Sequence, residues 1–248
     1  MTEEGFAATI EGLRKAGAKY IFLKTGAYRP VDLARAIAFA SKYKLDLLTV
    51  DAAGGGTGMS PWRMMNEWGI PPVELHTLTY QYAKHLAERG KYLPAISVNG
   101  GFTFEDQIFK ALSMGAPFVK MVGMARAPIA AAMVGKTIGQ TIEAQQVPVY
   151  IERFGNSKDE IFVTAGELRH ELGNKEFERL PTGAIGLYTY YERLAQGLRQ
   201  LMAGSRKFAL QYMSRNDLAA LTPEAARISG INYIMDVDKE EAAKILDF

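Results

Sequence analysis

The sequence contains no cysteine among its 248 residues. Disulfides, thiolate-ligated zinc, iron–sulfur clusters and cysteine nucleophiles are therefore excluded, because each of them needs a cysteine sulfur. The lack of disulfides fits a reducing compartment. Every apolar run is far shorter than the roughly 20 residues that cross a bilayer, and the start of the chain shows no pattern of a secretory signal. We therefore expect a cytoplasmic protein that does not bind membranes.

An excess of charge of one sign is also lacking. The chain has 29 basic and 27 acidic residues and a net charge of +2. Its basic residues are spread along the chain and mixed with acids, so we expect no nucleic-acid partner. The three histidines are not at metal-ligand spacing. We therefore assign no metal, and we expect His76 and His85 to be solvated residues of a surface helix.

Helices and short apolar strands alternate in the first half of the chain. Helices are predicted at 2–16, 31–42, 75–88 and 105–114, and strands at 20–23, 45–50, 95–98 and 118–122. This alternation favours βαβ units and a parallel sheet. The periodicity alone fits both a doubly wound sheet and a (β/α)8 barrel.

The second half of the chain is less regular. A helix rich in small residues is predicted at 129–140, and amphipathic helices are predicted at 187–202 and 207–212. The segment 218–230 contains Thr222-Pro223, which favours the start of a helix, whereas 147–181 has little clear periodicity. We therefore divide the chain into a domain of residues 1–140 and a C-terminal extension, residues 141–248, that packs on it.

Each predicted strand is followed by polar or glycine-rich residues. Lys24 closes the first strand, Asp51 opens the glycine-rich run after the second, Asn99-Gly100-Gly101 follows the third, and Gly123 to Arg126 follow the fourth. The carboxyl ends of parallel strands share one edge, where barrel active sites are built. Glycine pairs there are often simple turns, but their position after the last two strands favours a phosphate site. Lys24 either reaches solvent or sets a positive charge beside an electron-rich ring.

These segments resemble the flavin mononucleotide (FMN)-binding synthase domain of glutamate synthases. The resemblance lies in Phe22–Lys24, in Leu48–Asp51 followed by Gly55–Pro61, in Ile96–Gly101 and in Ala111–Ala116, and it covers about residues 5 to 140. It implies that the four strands are strands five to eight, the C-terminal half, of a (β/α)8 TIM barrel, followed by a mainly helical tail.

The resemblance also implies a function and a set of site residues. The function is that of an FMN-dependent oxidoreductase, the reductive amination of 2-oxoglutarate to glutamate. Lys24 and Asp51 would be catalytic. FMN would be held by Lys24, Asn99, Gly100, Gly101, Gly123 and Met124, and the small-molecule substrate by Gly55, Gly56, Thr57 and Arg126.

The chain departs from the family pattern at three points. The usual acid of the glycine loop is replaced by Gly54, the common Asp before the glycine pair is Asn99, and the cysteines of the family's iron–sulfur cluster are absent. Electrons would then come from a separate reductase or from a nicotinamide. The alternatives are another FMN- or phosphate-binding TIM-barrel enzyme and a non-catalytic or divergent half-barrel subunit.

Four strands are too few to close a barrel, and an open sheet edge invites pairing with another chain. We therefore expect the chain to be a fragment, or to need an N-terminal half-barrel or reductase subunit, or to assemble with a second copy. Purified alone, it should be oligomeric or poorly stable.

Overall fold

The computed structural model describes residues 2–26, 29–56, 61, 63 and 66–247. The chain forms two compact units. The first comprises Met1–Phe102, Asp106–Gly123 and Leu201–Phe248, and the second comprises Thr103–Glu105 and Met124–Gln200. The predicted boundary between a domain of residues 1–140 and a C-terminal extension remains a prediction.

Alternating helices and strands build the first unit, as predicted. In chain order they are α1 (Glu3–Lys15), β1 (Phe22–Gly26), α2 (Pro30–Lys42), β2 (Leu47–Asp51), α3 (Pro72–Ala87), β3 (Ala95–Asn99), α4 (Glu105–Gly115) and β4 (Val119–Gly123). All neighbouring strands are parallel, in the order β1-β2-β3-β4. The α/β class is thereby confirmed, and the arrangement is compatible with part of a (β/α)8 barrel.

The two faces of this sheet differ in composition. Successive side chains of a strand point to opposite faces. Leu48, Val50, Ile96 and Val98 lie on one face and are fully buried. The strand β2 contacts α2. The other face carries Phe22, Lys24, Thr49, Asp51, Ser97, Asn99, Met121 and Gly123. It is therefore the second face that holds the polar site.

The first strand begins later than predicted. Ile21 and Asp46 hold each other before the strand starts, because Ile21 N–H donates to Asp46 Oδ2 (2.7 Å) and Asp46 N–H donates to Ile21 O (3.0 Å). Strand pairing then runs from Phe22 with Leu47 to Gly26 with Asp51. Lys24 consequently lies in the middle of β1, and the prediction that it closes the strand is wrong.

The second unit is helical in its described part. It contains α5 (Arg126–Glu143), α6 (Val149–Glu152), α7 (Lys158–Ile161), α8 (Ala165–Leu172), α9 (Asn174–Arg179) and most of α10 (Thr182–Gly204). Its core consists of Phe162, Ala165, Leu168, Phe177 and Ile185. The segment 147–181, which lacks clear periodicity, therefore forms four short helices around a small core.

The C-terminal segment returns to the first unit. It holds two short 3-10 turns, Leu210–Tyr212 and Arg215–Asp217, and the helices α11 (Pro223–Ser229) and α12 (Lys239–Leu246). The amphipathic helix predicted at 207–212 is wrong, since only the turn forms, and the helix start favoured at Thr222-Pro223 is that of α11. Arg215 fixes the segment, because its guanidinium donates to Met114 O (2.6 Å) and Ser229 O (2.5 Å).

Candidate functional site

The parallel register places four residues in one row across the carboxyl end of the sheet. Gly26 pairs with Asp51, Asp51 with Asn99, and Asn99 with Gly123. Lys24 lies two residues before Gly26 on the same strand, so its side chain is on the same face. The predicted residues Lys24, Asp51 and Asn99 are therefore brought together.

The Asp51 carboxylate is the centre of this group. Its side chain is only 3% exposed and lies 3.1 Å from Lys24 Nζ through Oδ2. Asn99 Nδ2 donates to Oδ1 (2.8 Å), and the backbone N–H of Gly56 donates to Oδ2 (2.9 Å). A buried carboxylate is costly unless it is paired and hydrogen-bonded, and these three donors supply both conditions.

Lys24 is more accessible than its partner, with a side chain that is 44% exposed. Asp51 fixes the ammonium group on one side, while the remaining N–H groups of a lysine can reach a ligand. The pair therefore places the Lys24 ammonium group at a defined position above the sheet.

Two successive glycines follow β3, and both have positive φ: 115° at Gly100 and 80° at Gly101. A side chain at Gly100 would crowd Ala52, because a Cβ atom would lie 3.0 Å from Ala52 Cβ and 3.2 Å from its backbone N and O. At Gly101 a Cβ would meet no described atom within 4 Å. The turn thus packs on the β2 loop at Gly100 and has open space beside Gly101.

Gly123 is required for a different reason. A Cβ atom at this position would overlap the Asn99 side chain, so the absence of a side chain leaves room beside β4 for the Asn99 amide, whose Nδ2 donates to Asp51 on the opposite neighbour, β2. Sequence reasoning assigned Asn99 to the cofactor and missed its bond to Asp51. The signal for that bond was the predicted parallel pairing of two polar strand ends.

His76 is the second residue that sequence reasoning misjudged. The expectation that it is solvated is wrong, because the residue is 4% exposed. Its ring stacks on Phe102, with centroids 5.6 Å apart and planes 6° apart, and burial lowers its pKa from 6.5 to about 4. The sequence pattern gave no clear signal for this burial, because it depends on which side of α3 faces Phe102.

The structure says less about the role of the other predicted site residues. Gly55 is crowded, since a Cβ there would lie 3.0 Å from Ala52 O, and Gly56 is held by Asp51. Thr57 lies outside the described residues. Met124 and Arg126 belong to the second unit, and their part in ligand binding stays a prediction.

A groove of about 880 Å³ lies in the second unit and is lined by residues of α5, α7, α9 and α10 together with loop residues beside them. None of the predicted site residues lines it.

Within the described residues, no group of three or more His, Asp or Glu side chains could hold a metal ion. No helix of the described part combines the length and apolarity needed to span a membrane.

The fold and the site together define an α/β protein with a parallel sheet and a polar site at the carboxyl ends of its strands. Residues 1–135 match the profile of a family described as the conserved region in glutamate synthase. The chain therefore belongs to the glutamate synthase family, and the resemblance predicted from its motifs is confirmed. A search of curated proteins gave no significant match.

Proposed function

We propose that this chain binds FMN at the carboxyl edge of its sheet and acts as a glutamate synthase-like oxidoreductase on 2-oxoglutarate. The observation that carries the proposal is the Lys24–Asp51–Asn99 group beside the Gly100–Gly101 turn. Family membership supports an oxidoreductase of this kind.

The residues of the first unit fit an FMN molecule in two respects. The open space beside Gly101 gives room for a phosphate at a glycine turn, where backbone N–H groups can bind anions. The Lys24 ammonium offers a positive charge to the electron-rich pyrimidine edge of the ring. Asp51 holds that ammonium in place, and the Asn99 side chain and the Gly56 N–H hold the Asp51 carboxylate.

FMN, held by Lys24 and the Gly100–Gly101 turn, would supply the hydride chemistry by which 2-iminoglutarate and a proton become glutamate. The protein's part is binding, orientation and electrostatics. Lys24 stabilises negative charge on the cofactor ring. Asp51 fixes both Lys24 and, through Gly56, the loop that we expect to contact the substrate.

The same site also favours one alternative, a half-barrel subunit without catalysis. The supporting observation is that Gly54 stands where the family has an acid, so the loop has lost a charged group. Such a subunit would still pack beside a partner, but it would not turn over substrate.

A visible absorbance spectrum of the purified chain, taken after incubation with FMN and desalting, tests the cofactor. We expect retained flavin bands. Chemically reduced protein should then be reoxidised by 2-oxoglutarate with ammonium, and glutamate should form. Retained flavin without glutamate would favour the subunit without catalysis, and a colourless protein would contradict FMN binding by this chain alone.

The Lys24→Ala variant tests the role of the ammonium. We expect turnover to fall by at least about tenfold, the effect of removing roughly 1.4 kcal/mol of transition-state stabilisation. Lys19→Ala is the matched control, because Lys19 is an exposed lysine shortly before the same strand. Equal turnover in the two variants would remove Lys24 from the proposed mechanism.

We further propose that a second half-barrel, or a reductase subunit, completes the functional assembly. Both outer strands, β1 and β4, lack a further partner strand among the described residues. A chain without cysteine cannot hold a thiolate-ligated iron–sulfur cluster, so electrons would come from a separate reductase or from a nicotinamide.

A further inference from the structure

His76 carries a buried polar atom without a partner. Its Nε2 atom makes no hydrogen bond to any described residue, and the side chain is 4% exposed. Leaving a buried donor or acceptor unpaired costs about 1 to 3 kcal/mol. A phenylalanine at this position could make the same stacking contact with Phe102 without that cost, so packing alone does not explain a histidine.

Contacts within the first unit place His76 beside the glycine turn. Phe102, on which the imidazole stacks, directly follows Gly101. The start of α3 is tied to the same region, because Ala53 N–H donates to Ile70 O (2.8 Å), just before the helix. Ala52 N–H in turn donates to Asn99 O (2.9 Å). These bonds link the β2 loop both to the end of β3 and to the residue before α3, and His76 contacts the residue that follows the β3 turn.

We propose that His76 is a ligand-binding residue, whose Nε2–H donates a hydrogen bond to the phosphate of the ligand seated on the Gly100–Gly101 turn. This inference rests on the proposed function and adds a side chain to a site built from backbone N–H groups. A phosphate oxygen accepts hydrogen bonds and completes the unpaired Nε2 atom. The low pKa of His76 keeps the imidazole neutral near pH 7, so the contact is a hydrogen bond and not an ion pair.

The first experiment compares FMN with riboflavin, which has the same ring system without the phosphate. Affinities are measured by fluorescence quenching for the wild type, His76→Phe and His85→Phe. His85 lies exposed on the same helix, so it controls for the substitution itself. We expect His76→Phe to weaken FMN binding by roughly tenfold, the equivalent of about 1.4 kcal/mol, and to leave riboflavin binding unchanged.

Equal losses for FMN and riboflavin, or no loss for FMN, would overturn the role of His76. A thermal unfolding curve accompanies each variant. Because phenylalanine preserves the stack and removes an unpaired polar atom, we expect His76→Phe to be at least as stable as the wild type at pH 7.

A second experiment separates this inference from the proposed function. The imidazole carbon–proton signal of His76, assigned by its absence from His76→Phe, is followed by NMR while inorganic phosphate is added to the wild-type chain. We expect a saturable shift. If the His76 signal shifts with phosphate but FMN does not bind, the phosphate site is retained and the proposal that FMN is the cofactor is rejected. If FMN binds but neither phosphate nor FMN shifts the His76 signal, the proposed role of His76 is rejected. Neither response would reject both proposals.

Discussion

Asn99 connects two strand ends, because its amide donates to the buried Asp51 carboxylate (2.8 Å). In Asn99→Leu a side chain of similar size loses that donor, and Asp51 keeps only Lys24 and the Gly56 N–H. We expect the free energy of unfolding to fall by about 1 to 3 kcal/mol, measured by urea denaturation. Asn232→Leu is the control, since Asn232 is exposed in the same unit. Equal stability of the two variants would show that the bond contributes nothing.

The sequence was sufficient to assign Asp51 and Asn99 to one site, because polar residues at the ends of parallel strands share an edge, and Lys24 joins them from the middle of β1 because it lies on the same face of the sheet. The sequence was insufficient to pair them. The Asn99–Asp51 bond depends on the strand register and on a missing side chain at Gly123, and both are properties of the folded sheet. His76 shows the same limit, because its burial depends on which side of α3 faces Phe102.

The burial of His76 predicts a pH dependence of stability. Its pKa is about 4 in the folded state and 6.5 in the unfolded state. Between these values the unfolded chain binds more protons than the folded one, so stability rises with pH and is lost on acidification. We expect His76 alone to lower the free energy of unfolding by about 2 kcal/mol from pH 7 to pH 5.

Urea denaturation at the two pH values measures this effect. His76→Phe should show a correspondingly smaller loss on acidification, because phenylalanine does not titrate, whereas His85→Phe should behave as the wild type does. An identical loss in wild type and His76→Phe would mean that the folded imidazole protonates freely.

At the scale of elements, α5 and α10 pack through glycines of the second unit. A Cβ atom at Gly135 would lie 2.7 Å from the backbone oxygen of Thr182, which cannot move without shifting α10. We expect Gly135→Ala to destabilise the second unit by about 1 to 3 kcal/mol through overpacking, although alanine favours a helix. The thermal unfolding midpoint should fall by several degrees.

Gly166 provides the matched control within the same unit. It lies in α8, and an added Cβ there would meet no described atom within 4 Å. Gly166→Ala should therefore leave the unfolding midpoint unchanged or raise it. A fall of the same size in both variants would attribute the effect to loss of glycine in general and not to the contact between α5 and α10.

Elements with a long regular pattern were predictable, and short ones were not. The helices α1 to α4 and the strands between them could be predicted, because segments with apolar residues at helical spacing alternate along the chain with short apolar runs. The helices α6 to α9 are 4 to 8 residues long, which is too short for a period to emerge. One local signal was present, since Ser157 and Glu160 form a capping box at the start of α7.

At the scale of the whole molecule, the sheet of the first unit exposes apolar side chains near both of its outer strands. Tyr20 and Phe22 stack on each other and are 70% and 63% exposed, and Met121 on β4 is 43% exposed. These apolar side chains lie near the two outer strands of the sheet, where unpaired strand edges can add a strand of another chain. Two copies of the chain could pair their open edges. Since all four strands are parallel, a two-fold axis that runs along the strands would place β4 of each copy beside β1 of the other copy. The resulting eight strands suffice for a barrel packed with side chains.

We therefore expect the purified chain to self-associate at micromolar concentration, unless a separate half-barrel is supplied. Size-exclusion chromatography with light scattering measures its mass. Phe22→Glu should shift the mass toward that of the monomer, because closure would bury an unpaired carboxylate. Leu221→Glu, at a site that is 77% exposed in the C-terminal segment, should leave the mass unchanged. A wild-type chain that is monomeric and unfolds in one sharp transition would show that the open sheet is stable by itself, and the proposed partner would then be unnecessary for folding.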